Sequence, residues 1–139
     1  MSDTQAIKAA FKELLEVEIS RARFDLTERL VHPEFFDHTN PLGLQHGLDG
    51  HRGIVTLFHG AFPDGQWTVE DLIAEGDRVV ARTTFRGTHS GDFFGLPATG
   101  KAVDMAGVHI GRFAEGKIIE HWGTNDDLGM MRQLGAIPG

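Results

Sequence analysis

Gly116-Lys117-Ile118-Ile119-Glu120-His121-Trp122-Gly123-Thr124-Asn125-Asp126-Asp127-Leu128 reads as a strand that runs into two adjacent carboxylates. Strand side chains alternate between two faces, so Ile118, Glu120, Trp122, Thr124 and Asp126 share one of them. A carboxylate that joins a tryptophan on a pocket-lining face would be desolvated. Desolvation raises its pKa toward the range useful for general acid/base work. An aspartate at a strand-to-helix junction is also an ordinary helix N-cap. Strict alternation turns Asp127 away from that face, and a bulge near Gly123 would reverse the assignment.

Upstream of this strand the chain alternates in the same way. Ala114-Glu115-Gly116 is a hairpin turn, preceded by a strand over residues 102–113. Residues 78–88 form another strand, with Val79, Ala81, Thr83 and Phe85 on one face. A turn at Glu75-Gly76-Asp77 joins it to a strand over 67–74. A Gly- and Pro-containing loop spans 89–100, and its Phe93-Phe94 pair suits either a pocket lid or an oligomer contact. Before residue 63 the period is helical. Ile7, Ala10, Phe11, Leu14 and Leu15 give a stripe over 4–17. A second helix is predicted over 20–30, ended by His32-Pro33. A third is predicted over 51–62, burying Ile54, Val55, Leu57, Phe58 and Ala61. Asp126 or Asp127 caps a short last helix ending near Leu134, with Gly135 after it. Helices followed by a run of antiparallel strands predict an α+β fold with helices on one face of the sheet.

A chain of 139 residues is expected to form one domain. Its net charge of −7 argues against a nucleic-acid partner, which would need a basic face. No apolar run approaches the roughly 20 residues of a membrane span. The start of the chain lacks the basic-then-apolar pattern of a secretory signal, so a cytoplasmic location is expected. There is no cysteine for a thiolate nucleophile and no tyrosine for a phenolic acid. His38, His46, His51, His59 and His89 do not fall at helical metal-ligand spacing, so no metal is expected. Gly47 to Gly53 matches no nucleotide-binding fingerprint, and no serine sits in a nucleophile elbow.

Several segments in order resemble one family. They are His32-Pro33-Glu34-Phe35, Ala61-Phe62-Pro63-Asp64, Ala74-Glu75-Gly76-Asp77-Arg78-Val79, Gly87-Thr88-His89-Ser90-Gly91 and Phe94-Gly95-Leu96-Pro97-Ala98-Thr99-Gly100-Lys101. His109, Arg112-Phe113, Gly116 to Trp122, and Arg132-Gln133-Leu134-Gly135 complete the set. Together they resemble the SnoaL-like polyketide (ester) cyclases, of the superfamily built like nuclear transport factor two. The resemblance implies a cone-shaped barrel: a curved, mostly antiparallel sheet packed against about three N-terminal helices around an apolar pocket. It implies homodimers, or oligomers built from them, that pair through their sheets. It also implies closure of a polyketide-ester ring by intramolecular aldol condensation, without metal or cofactor. By position, Asp126 matches the family's acid/base and His109 the assisting histidine.

The candidate pocket wall is Trp122, Phe35, His38, Phe85 and Met105. Met105 shares a face with His109, and His38 with Asn40 follows the aromatic pair Phe35-Phe36. The expected substrate is a small apolar carbonyl compound. The alternatives are another cofactor-free enzyme on the same site (isomerase, dehydratase or hydroxylase), a non-catalytic carrier, or a dimerisation domain.

Overall fold

The computed structural model describes residues 3–39 and 43–138. Helix α1 (Asp3–Glu13) buries Ile7 and Phe11, four residues apart on one face. It continues without a break into a π-helical turn, Leu14–Ile19, which buries Leu14, Leu15 and Glu18. Single π turns of this kind are often found at functional sites.

The helix predicted over 20–30 does not form. Ala22 takes a left-handed conformation, φ +50°, and only a 3-10 turn (Phe24–Leu26) and a four-residue helix α2 (Thr27–Leu30) follow. The physical reason is a buried hydrogen bond: Thr27 Oγ1 donates to Glu18 Oε2 at 2.5 Å across nine residues. Nine residues of continuous helix would hold those positions about 13.5 Å apart. The chain must double back for the bond to exist.

Five strands form one sheet in the order β1-β5-β4-β3-β2. They are β1 (Val31–Asp37), β2 (Gln66–Glu75), β3 (Arg78–Thr88), β4 (Ala102–Ala114) and β5 (Lys117–Asn125). Among the described residues, β1 against β5 is parallel and the other pairings are antiparallel. The α+β class and the curved, mostly antiparallel sheet are as expected, and the inward face of β3 carries Val79, Ala81, Thr83 and Phe85. The strand β1 was not anticipated. Pro33 lies within it, and proline cannot donate to a ladder except at an edge or a bulge. Both conditions hold: β1 is an edge strand, and its register slips between Val31 and Phe36. Bulges also interrupt β2 after Val69 and β5 between Ile118 and Glu120. Each adds local twist and bends the sheet over the helices.

Helix α3 (Gly47–Ala61) starts four residues before the expected point. It buries Val55 and Ala61, but Leu57 is 45% exposed, contrary to expectation. Helix α1 packs on β2, β3 and β5, and α3 packs on β1. Helix α4 (Asp127–Gln133) crosses the end of β4. Gln133 pins it there, accepting from Asp104 N–H at 2.7 Å and donating to Asp104 O at 2.9 Å. Among the described residues, no helix is long and apolar enough to cross a membrane.

Phe62 is buried between the rings of Phe85 and Phe93, at 5.3 and 5.4 Å. Phe62→Ala should cost about 3–5 kcal/mol, whereas Leu57→Ala should cost less than about 0.5 kcal/mol. Urea unfolding midpoints check both.

Candidate active site

Helices and sheet enclose a cavity of about 360 Å³. Leu14 and Leu15 of the π turn, Val55 and Phe58 of α3, Phe35 of β1 and Trp67 of β2 make much of its apolar wall. Phe93 and Phe94 also line it, so this loop pair belongs to the pocket. Against that surface stand a few polar side chains: Asp37, His121, His109 and Asn125 from the strands, His51 from α3, and Asp127 from α4.

The strand groups form one hydrogen-bonded chain. Asn125 Oδ1 accepts from His109 Nε2–H at 3.1 Å. His109 Nδ1 is then an acceptor, and it takes the proton of His121 Nε2–H at 2.9 Å. His121 Nδ1–H donates to Asp37 Oδ1, also at 2.9 Å. In this donor order both His121 nitrogens donate, and Asp37 is the acceptor at the end of the chain. Burial alone would raise the Asp37 carboxyl, but the hydrogen bond and charge of His121 hold it below its ordinary value. His109 responds in the opposite direction. Burial and the neighbouring His121 charge push it from the ordinary 6.5 down to about 3, so its ring is neutral.

Backbone alternation delivers these groups. On β4, Met105, Gly107, His109 and Gly111 are buried on one face. Two glycines make room for the chain. A Cβ on Gly107 would collide with Asn125 Oδ1, and one on Gly123 would lie 2.6 Å from His109 Nδ1. The His109 and His121 rings stack at 5.2 Å, and the edge of His109 meets Trp67 at 5.2 Å.

Several expected site residues fall elsewhere. Phe35 and His109 line the cavity as anticipated. Trp122 does not. It stacks on His38 at 4.7 Å, with Arg78 5.4 Å above its ring. His38 in turn donates to Glu120 Oε2 at 2.8 Å, so neither aromatic borders the cavity. Asn40 lies outside the described residues. Phe85 and Met105 face inward but are core, 3% and 1% exposed; the rings of Phe58, Phe62 and Trp67 enclose Phe85. The two aspartates exchange places. Both side chains are exposed, but their surroundings differ: Asp126 caps α4, accepting from Gly129 N–H at 2.9 Å, whereas Asp127 borders the cavity. The cause is the bulge in β5. Phe113 pairs with Ile118 and Arg112 with Glu120, so Ile119 is an extra residue that inverts the alternation beyond it. His121 and Asn125 then face the cavity in place of Trp122 and Thr124, and Asp127, the first residue of α4, borders it. Desolvation, followed by the charge of Asp126, raises the Asp127 carboxyl above its ordinary value.

The arrangement offers a carboxylate with a raised pKa, a neutral buried imidazole and a second imidazole hydrogen-bonded to a carboxylate, beside an apolar chamber. That set can remove a proton from carbon and return one to oxygen.

Two outcomes follow. Asp126→Ala should lose about 1 kcal/mol through the lost cap, while Asp127→Ala should leave stability unchanged or raise it. Thermal unfolding compares them. Below pH 6.5 the unfolded chain binds a proton that folded His109 refuses until about pH 3. Stability therefore falls with pH across that window, by up to about 1.4 kcal/mol per unit from this group. His109→Gln should flatten the slope of urea-derived stability between pH 6.5 and 4.5.

The SnoaL-like polyketide cyclase family model matches residues 8–134. The chain is 32% identical over 120 residues to the nogalonic acid methyl ester cyclase of Streptomyces nogalater, covering 81% of this chain and 86% of that one. It is 32% identical over 117 residues to the aklanonic acid methyl ester cyclase DauD of Streptomyces sp. strain C5, covering 80% and 70% respectively. Among solved structures, TsrD from Streptomyces laurentii superposes with a TM-score of 0.89 at 29% identity, covering 99% of this chain and 100% of that one. The chain belongs to the SnoaL-like polyketide cyclase family.

Proposed function

We propose that this protein is an ester cyclase that closes a ring of a polyketide-like ester by intramolecular aldol condensation. The observation that carries the reading is one apolar cavity bordered by Asp127, His109 and His121 together. Asp127, and not its neighbour Asp126, takes a proton from a carbon flanked by carbonyl groups. The resulting enolate carbon attacks a second carbonyl of the same molecule, forming a carbon–carbon bond and an alkoxide. The His121–His109 pair gives the alkoxide its proton, and solvent exchange returns Asp127 and His121 to their starting states. The substrate supplies the electron sink, so the steps draw on no cofactor. Folding a flexible chain against the apolar wall raises the effective concentration of its two ends, and acid/base assistance adds about 10²–10⁴-fold.

The two relatives act on nogalonic and aklanonic acid methyl esters by name, and these are the first substrates to try. The steps end at the protonated alkoxide with no loss of water, so the ring-closed product should separate by chromatography at unchanged mass. Asp127→Asn should slow closure by about 10²–10⁴-fold, and Asp126→Asn should stay within a few-fold of wild type. The reverse pattern would return the base to Asp126. With Asp127 as base, the acidic limb of the rate profile should lie above the ordinary carboxylate range. The homodimer implied by family resemblance would cover Val108, 45% exposed on the outer face of the sheet.

A further inference from the structure

The helical wall of the cavity holds a second carboxylate–imidazole pair, which the proposed ring closure does not use. Glu18 sits in the π turn and is completely buried. Its two oxygens are fixed separately. Thr27 Oγ1–H donates to Oε2 at 2.5 Å, and His51 Nε2–H donates to Oε1 at 2.7 Å. Thr27 is also completely buried, and His51 is 5% exposed. The His51 ring stands edge-on to Phe35 at 5.8 Å and borders the cavity.

Stability alone is a poor reason to keep such a group. A buried ionic or polar cluster can often be replaced by apolar side chains of similar volume without loss. Here the local backbone is bent to build it, through the π turn and the reversal at Ala22. A carboxylate that accepts from one imidazole nitrogen fixes the tautomer and the orientation of the ring. With one proton on the ring, committed from Nε2 to Glu18, the lone pair is on Nδ1. That nitrogen accepts a proton in a hydrogen bond and does not donate one. Glu18 lies directly behind His51, so an anionic group would be repelled beside that ring. A neutral hydroxyl, such as an enol or phenol, fits both requirements.

We infer that His51 is a substrate-recognition residue: its Nδ1 accepts the hydrogen bond of a hydroxyl on an apolar molecule, with Glu18 and Thr27 as positioning residues. The inference rests on the cavity being the substrate site, but not on ring closure or on which aspartate is the base. A binding experiment therefore tests it separately.

The probes are 1-naphthol and 1-methylnaphthalene, which have similar shape and differ in one hydroxyl. Calorimetry should show wild type preferring 1-naphthol. In the apolar triple variant Glu18→Leu/Thr27→Val/His51→Phe, the ratio of the two dissociation constants should fall about tenfold, the equivalent of one hydrogen bond. A second measurement needs no variant. The ¹⁵N resonance of His51 Nδ1 in wild type should move when 1-naphthol binds and stay in place with 1-methylnaphthalene. Failure of wild type to prefer the hydroxyl, an unchanged ratio in the folded triple variant, or an unmoved Nδ1 resonance overturns the assignment. None of these outcomes depends on whether either methyl ester is cyclised.

Discussion

Ile119, one extra residue in β5, decides which side chains the cavity receives. It interrupts the pairing with β4 between Phe113↔Ile118 and Arg112↔Glu120. Ile118 faces inward before it, and His121 and Asn125 face inward after it. The alternative can be weighed. A regular continuation would turn Glu120 toward the apolar wall and strip it of its partners, Arg112 at 2.5 Å and His38 at 2.8 Å. Burying an unpaired carboxylate costs several kcal/mol, more than a lost ladder hydrogen bond. The charge on Glu120 therefore enforces the bulge. The bulge in turn sends His121 and Asn125 to the site, and the cap at Asp126 then starts α4 with Asp127 at the cavity border.

Once inside, those polar groups must satisfy one another, because little else in the wall can. In the chain from Asp37 to Asn125, donation runs outward from His121 in both directions, and a network satisfied throughout is rigid in a low dielectric. Its rigidity has a steric condition. Gly107 and Gly123 leave space for Asn125 and His109 that a methyl group would fill. The same enclosure makes His109 a reluctant base. Packing and protonation here have one cause, the exclusion of water from the end of the cavity where β4 and β5 meet.

Features with a strong local period were legible in the sequence. The alternation of β3 and β4 placed Val79, Ala81, Thr83, His109 and Met105 on the inward face, and the stripe of α1 placed Phe11. Phe35 and His109 were found as cavity residues. What escaped notice depends on contacts distant in sequence. The reversal after Ile19 follows from the bond between Glu18 and Thr27, and no window of local propensity contains it. The bulge follows from partners of Glu120 at positions 38 and 112. Strict alternation read across that bulge puts Trp122 and Asp126 on the inward face, where His121 and Asn125 lie instead. A sharper signal was present: a histidine beside a charged residue in a strand, with both unable to point inward. His51 was considered only as a metal ligand, and its partner Glu18 lies 33 residues away.

Charge placement also constrains the proposed reaction. Forming an enolate adds negative charge to a chamber that already has Asp37, Asp127 and the buried Glu18 in or near its wall. Facing them is His121, which in the donor order described above donates from both ring nitrogens. Coulomb energy at a few ångströms rises steeply as the effective dielectric falls, so the oxygens that gain charge are stable only beside the His121–His109 pair. The carbon that loses its proton must lie toward Asp127, and the carbonyl under attack toward the histidines. A substrate hydroxyl held by His51 on the helical wall would then give a third fixed point. Three points define the orientation of a nearly planar molecule in a chamber whose remaining surface is apolar and sets only its outline.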